Sequence, residues 1–402
     1  MPEVVRMAKK RTKAWTLAGA ARAVRDARIA TMQHMQSAPI ARHMQEQQLR
    51  NAFALKVAHL RGDKPTANAL LFGGMGYRDP FPPFTDWAAA ADTVVTDEAR
   101  YLAEAELYVL SPHMCDVVIA AAQSLTLEDL ELLGEEDLPG PTGLVMLPRP
   151  VLVRTAGGNI ADLRAFTWRV PSSILNPSLE DGSLGYLPAV RVSSYNDTHG
   201  PVRPDTFLQL AAAAREHGTP LPPLLLDAIK CAGFRYTAAP EQLQVLRDYL
   251  KVVKKSGAAT RAWHAAHGQD ENRVIGEYTP DSQLDDPEDT FQIRFLYAFW
   301  RLSEQRITTL QPAPLNHSAQ LQADRAGVPA DVRVVQLRRT QQAGENTLGG
   351  RDWQHRWVVR MHKVRQWYPS LQQHKVIYRG PYIKGPADKP LLGGETVRGL
   401  TR

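Results

Sequence analysis

Apolar positions recur at helical spacing from about Ala14 to Leu60, and a break at Ser37 to Pro39 predicts two helices. The first carries a thin stripe of Leu17, Ala21 and Val24 that runs into Arg28 and is flanked by Arg22 and Arg25. So thin a stripe buries little surface, and residues 1–61 are expected to form a basic helical arm, laid on a partner or standing as a solvated extension. Between Gly62 and Trp87 the pattern gives way to GGMGY (Gly73–Tyr77) and DPFPPF (Asp79–Phe84), which reads as an ordered loop or linker. These glycines match neither GxGxxG nor a phosphate-binding P-loop. Helical spacing returns from about Trp87 to Ser124, with the apolar window from Ala105 to Leu125 reading as a buried helix. Thr126 to Asp129 then resembles a capping box that opens a short helix ending at Gly134.

From Gly143 the period shortens to that of strands. Leu144–Leu147, Val151–Val153 and Leu163–Val170 read as hairpin strands, and Ala189–Ser194 as a further strand of a small antiparallel sheet. Three proline-led, glycine-stopped segments follow as expected helices, at Pro204–Glu216, Pro223–Ala232 and Pro240–Lys255. Asp286, Pro287, Glu288 and Asp289 then have the chemistry of a helix start, ahead of an aromatic helix carrying Phe291, Phe295, Tyr297, Phe299 and Trp300. That capping role explains the acids around Asp285 without a metal. The end of the chain alternates as strands at Val332–Arg339, Trp353–Arg365 and His374–Arg379, closing on GPYIKGP (Gly380–Pro386). In the second of these, Trp353, His355, Trp357, Val359 and Met361 share one face, expected to cover a core. Arg356, Val358, Arg360 and His362 share the other, expected to be exposed.

The expected architecture is therefore α+β: a helical N-terminal arm (1–61), a central region of mixed helices with a small antiparallel sheet (62–280), and a C-terminal helix plus antiparallel β-ribbon (281–402). Charge sharpens this division. The formal net charge is +6, yet Met1–Arg61 carries roughly +9 and Val332–Arg402 roughly +10, which leaves the middle near about −13. Two basic ends on an acidic body suit an anionic partner or docking of the ends onto the middle. The two cysteines, Cys115 and Cys231, have no CxxC or zinc spacing, so neither a disulfide framework nor a cofactor is expected, and a reducing, cytoplasmic setting is. The most apolar window is interrupted by Glu106, Pro112, His113 and Asp116, which argues against a membrane partner. The Arg-rich, acid-poor beginning could also mimic a mitochondrial presequence, and no apolar signal-peptide core follows it. The acidic run Glu135, Glu136, Asp137 reads as a solvated loop.

The candidate binding residues lie on the C-terminal ribbon: Arg356, Arg360, His362, Lys363, Arg365, Trp367, Tyr368, Arg379 and Lys384. Cationic side chains track a phosphate backbone while aromatic rings stack on bases, so these residue types together point to RNA, with DNA as an alternative. A metal-free ribonuclease toxin, with His355, His362 or His374 moving protons beside Arg360, Tyr378 and Lys384, is the enzymatic alternative. Alternation weakens it by placing His355 and His362 on opposite faces. No nucleophile elbow, HExxH or Walker pattern occurs.

The stretch HRWVVRMHKVRQWYPS (His355–Ser370) with the following PYIKGPADKPL resembles the Arg-His-Trp ribbon of a type V-A anti-CRISPR family, the one that represses expression of the CRISPR effector nuclease. It also resembles uncharacterised proteins of actinobacterial phages and mobile elements. LPGPTGLVMLPRPVLV (Leu138–Val153) before IADLRAFTW (Ile160–Trp168), and FLYAFWRL (Phe295–Leu302) before the ribbon, follow the family's block order from roughly residue 100 to 390. Arg360 and His362 match the ribbon, whereas Val359, Met361 and Lys363 stand where the family has an arginine, a glycine and a tryptophan. The resemblance implies a phage or mobile-element counter-defence protein that recognises a ribosome-associated nascent chain and promotes loss of its message. RNA, or the ribosome with its nascent chain, is thus the expected partner.

Overall fold

A computed structural model describes residues 14–77, 86–126, 129–155, 160–177, 184–234, 262, 272–274, 283–305, 307–338, 354–359, 362–368, 373–379, 382–386 and 389. The fold is α+β, and its centre is an eight-stranded mixed sheet. In spatial order run β6 (Leu224–Gly233), β4 (Leu184–Asp197), β3 (Ile160–Pro177), β2 (Thr142–Arg154), β1 (Glu106–Leu110), β10 (Val332–Leu337) and β9 (Thr308–Pro312), and β8 (Leu284–Asp285) pairs with β2. β10, β1 and β2 are mutually parallel, while β9 and the β2–β3–β4–β6 meander pair antiparallel. The adjacent parallel pair β1 and β2 needs a crossover, supplied by α5 (Pro112–Ser124).

Helices cover both faces, so the central strands are apolar on both sides. On β1, Tyr108 and Leu110 point to a core built with α5 and α7 (Phe291–Ser303), where Phe166, Trp168, Phe295, Phe299 and Trp300 pack. Leu107 and Val109 point the other way, to α1 (Leu17–Ser37) and α4 (Trp87–Glu104). Outside α4 lie α2 (Pro39–His59) and α3 (Lys64–Gly74), joined to it through Leu49, Phe72, Trp87 and Val94. α8 (His317–Ala326) adds Ala323 to the α1 side. β5 (Val202–Pro204) stands off the main sheet, pairs with β7 (Asn272–Val274) and leads into α6 (Asp205–Glu216).

Several elements depart from the periodicity. The helical N-terminal segment is present, but it is seated on the sheet: Ala21, Val24, Ala27, Met32 and Met35 are buried. The Gly62–Trp87 stretch contains α3, capped by the Asp63 carboxylate on the Thr66 amide at 3.1 Å. The expected helix across Ala105–Leu125 is instead β1 followed by α5, because Leu107, Tyr108 and Val109 find strand partners on both sides. Pro223–Ala232 is not a helix but β6, paired with β4. The short helix before Gly134 is a 3-10 turn, with the Thr126 amide on Asp129 and the Asp129 amide on Thr126. The acids at 286–289 do not form the first turn of α7: the helix starts at Phe291 with Thr290 at its N-cap, and Asp286 reaches it from the preceding turn, accepting from the Phe291 amide at 2.8 Å. In the acidic run, Asp137 is buried and pairs with Arg301 at 2.7 Å, so it is no solvated loop residue. The expected helix at 240–255 lies outside the described residues.

Candidate functional site

The C-terminal ribbon is antiparallel, as its alternation requires, but it divides. Trp353–Arg365 is not one strand: β11 (Trp357–Val359) pairs with β14 (Tyr382–Lys384), and β12 (His362–Tyr368) pairs with β13 (Gln373–Arg379). Val332–Arg339, read as one of the ribbon strands, belongs to the main sheet as β10 (Val332–Leu337), where Arg333 pairs with Glu106 at 2.9 Å and lies over the Tyr108 ring. In the β12–β13 hairpin, His362 is opposite Arg379, Lys363 opposite Tyr378, Arg365 opposite Val376, Trp367 opposite His374 and Tyr368 opposite Gln373. Seven consecutive register pairs thus gather the basic and aromatic candidates. Trp357 is opposite Lys384, which is exposed.

The faces of β11 differ from those expected. Val358, which shares its alternation with Arg356, packs against the α5–α7 core, while Arg356 and Trp357 are both half-buried. Arg356 donates Nε to the Lys389 carbonyl at 2.7 Å, a contact that holds the closing segment of the chain to the ribbon. The expectation that Arg356 is exposed and Trp357 covered is therefore corrected: both are half-buried, and it is Val358, on the Arg356 side of the alternation, that packs on the core beside α5. Trp353, Arg360 and Met361 lie outside the described residues. His355 is exposed ahead of β11, whereas His362 opens β12 in a different two-stranded sheet.

Part of the basic charge read from the sequence works inside the fold. Arg28 is fully buried, with Nη1 on the Ala105 carbonyl at 3.4 Å and Nη2 on the Pro329 carbonyl. Arg25 donates Nε to the Ala330 carbonyl at 2.6 Å. Burial pulls Arg28 down to about 10, and the neighbouring Arg25 adds to the effect. Ala105 ends α4, where carbonyls carry the negative end of the helix dipole and favour a cation. These two arginines seat α1 on the sheet and are spent as surface charge.

A second buried polar group joins helix to sheet. Glu98 of α4 takes Arg191 Nη2 at 2.7 Å on one oxygen and the Tyr195 hydroxyl at 2.7 Å on the other. Arg191 Nη1 reaches the Met75 carbonyl at 2.7 Å, and its guanidinium lies over the Tyr77 ring. Burial, with the Glu98 charge beside it, drives the Tyr195 phenol well above its usual range, so it stays a donor. Sequence reasoning missed this group, although its signal was available: Glu98 interrupts the Val94, Val95, Ala99, Leu102 stripe, and Arg191 interrupts a run of apolar strand residues.

Among the described residues no set of three His, Cys, Asp or Glu side chains is arranged to hold a metal ion. No helix among them is long and apolar enough to cross a membrane. No protein-family model, curated protein or solved structure matches the chain.

Proposed function

We propose that this protein binds RNA through the β12–β13 hairpin and acts as a phage or mobile-element regulator against host defence, on a message or on a ribosome carrying its nascent chain. One observation carries the reading: the register of the hairpin sets His362 opposite Arg379, Lys363 opposite Tyr378 and Trp367 opposite His374. By strand alternation Lys363, Arg365 and Trp367 belong to one face together with their register partners Tyr378, Val376 and His374, which puts cationic and aromatic residue types on one side of the ribbon, the combination that suits a nucleic-acid single strand. Arg25, Arg28 and Arg333 are engaged within the fold, which concentrates the binding role on the ribbon.

The test is fluorescence anisotropy of the full chain with a labelled single-stranded RNA across a salt series. The logarithm of the affinity should fall linearly with log salt, because each neutralised phosphate releases counterions. The double variant Lys363→Gln/Arg365→Gln should flatten the slope by about 1.4 for two lost contacts, at roughly 0.7 per contact on a single strand. A salt-independent affinity, or a double variant that binds as the parent does, overturns the reading. Equal affinity for DNA of the same sequence would move the function to the DNA-binding alternative.

A further inference from the structure

The two small ribbons β11–β14 and β12–β13 keep one register. Three residues on from Val359 comes His362, and three residues back from Tyr382, the partner of Val359, comes Arg379, the partner of His362. A bulge on one strand alone would have set the two ribbons a residue out of step. They are in step from Trp357 opposite Lys384 at one end to Tyr368 opposite Gln373 at the other. Within β11–β14, alternation places Trp357 and Val359 with Lys384 and Tyr382 on one face, and Val358 with Ile383 on the other. Within β12–β13, it places Lys363, Arg365 and Trp367 with Tyr378, Val376 and His374 on one face, and His362 with Arg379 on the other.

Packing at β11 decides which face a partner can reach. Val358 packs on the α5–α7 core, so its face is turned to the body of the protein. On the opposite face Trp357 is half-buried, while Lys384 across from it and His355 ahead of it are exposed. This end is fixed in place: Arg356 donates Nε to the Lys389 carbonyl at 2.7 Å, and Gly385, at φ +116°, passes so close that a Cβ would lie 2.6 Å from the His355 carbonyl oxygen. The charge suits a polyanion. No Asp or Glu occurs between Asp352 and Asp388, a stretch that holds seven Lys or Arg.

We propose that the two ribbons are halves of one arm, and that the RNA site runs the length of its Trp357 face, with Trp357 and Lys384 as the end nearest the body; this rests on the RNA reading above. One shared register makes the Trp357 face of β11–β14 continuous with the Lys363, Arg365 and Trp367 face of β12–β13, because 357, 363, 365 and 367 differ by even steps. Along it the pairs Trp357 with Lys384, Lys363 with Tyr378 and Trp367 with His374 each join a ring to a cationic or imidazole residue type. The ligand is an unpaired strand, since only splayed bases can stack on side-chain rings while the cations follow the phosphates. From Trp357 to Trp367 the strand runs about 33 Å. That length takes up to about ten nucleotides stacked at about 3.4 Å each, and fewer when they are drawn out.

Anisotropy of the full chain with a labelled oligouridylate of about twelve nucleotides, long enough to cover the whole face, tests this. Trp357→Ala should weaken binding at least about fivefold with the salt slope unchanged, and Lys384→Gln should flatten the slope by about 0.7. Trp357→Phe, which keeps a ring, should stay within about twofold of wild type, and this separates stacking from a loss of fold. His362→Gln/Arg379→Gln, on the face shared with Val358, should bind as wild type does. Affinity unchanged by Trp357→Ala while Lys363→Gln/Arg365→Gln still flattens the slope overturns the shared arm and leaves the β12–β13 reading standing. Trp357→Phe binding as weakly as Trp357→Ala overturns stacking at this end, and a slope flattened by His362→Gln/Arg379→Gln overturns the choice of face. Equal affinity for the same strand paired with oligoadenylate overturns the unpaired ligand. A wild type that binds no RNA overturns this inference and the RNA reading together.

Discussion

Glu98 of α4 and Arg191 of β4 meet at 2.7 Å with side chains 0% and 4% exposed. Both Glu98 oxygens are engaged, and the guanidinium reaches Glu98, the Met75 carbonyl and the Tyr77 hydroxyl. The contact fixes how the α3–α4 layer sits on the antiparallel half of the sheet. Glu98→Ala would strand a buried guanidinium, so it should cost about 3–5 kcal/mol in urea unfolding. A Glu98→Leu/Arg191→Met double variant should recover most of that loss. A single variant within about 1 kcal/mol of wild type would contradict this account of the interface.

Gly143 on β2 faces Trp168 on β3, and a Cβ there would lie 2.2 Å from the indole ring. Trp168 has no room to yield, because Tyr108, Phe299 and Trp300 pack around it and its Nε1 donates to the Gly140 carbonyl at 3.0 Å. Gly143→Ala should therefore destabilise by about 1–3 kcal/mol through overpacking. Near-ultraviolet circular dichroism, which senses indole packing, should change with it. An unchanged spectrum and midpoint would show that the aromatic core accommodates the methyl.

Both thiols are buried, and burial pushes Cys115 up to about 12 and Cys231 up to about 11. The thiolate is the reactive form, so a native protein at neutral pH should react with a disulfide reagent only as it unfolds. Labelling of both cysteines should rise together across a urea titration. Rapid labelling of Cys231 without denaturant would mean that the contact of its sulfur with Ser172, at 3.6 Å, opens readily.

Arg356 gives a contrast to the hairpin lysine and arginine. Its Nε holds the Lys389 carbonyl, and Gly385 packs so closely that a Cβ would fall 2.9 Å from the Arg356 Cα. Arg356→Gln should leave the salt slope of RNA binding unchanged and raise proteolysis near residue 389. A slope flattened as much as by Lys363→Gln/Arg365→Gln would return Arg356 to the binding surface.

The strands β2 and β3 and the aromatic helix α7 were legible because each follows from chain neighbours, as alternation or as a run of rings, although the start of α7 lies later than the acids at 286–289 suggest. β1 and β6 were not. Glu106–Leu110 and Leu224–Gly233 are short apolar runs buried or half-buried on both faces, and such runs have no period that separates helix from strand. Their partners decide it: Leu107 lies between Leu144 and Val332, and Val192 lies opposite Lys230.

By itself the sequence determined the α+β class, the basic composition of the two ends and the antiparallel habit of the last strands, all of which depend on local spacing and residue type. Only the tertiary structure decided which charges face water. Arg28 closes the thin apolar stripe of a segment expected to form a basic arm, yet it is fully buried and bonds a carbonyl 301 residues away. Val358 rather than Trp357 packs on the α5–α7 core for the same reason. A charge or a strand face acquires its environment from surfaces distant along the chain, and that environment, through desolvation and pairing, sets whether the residue binds a partner or holds the fold.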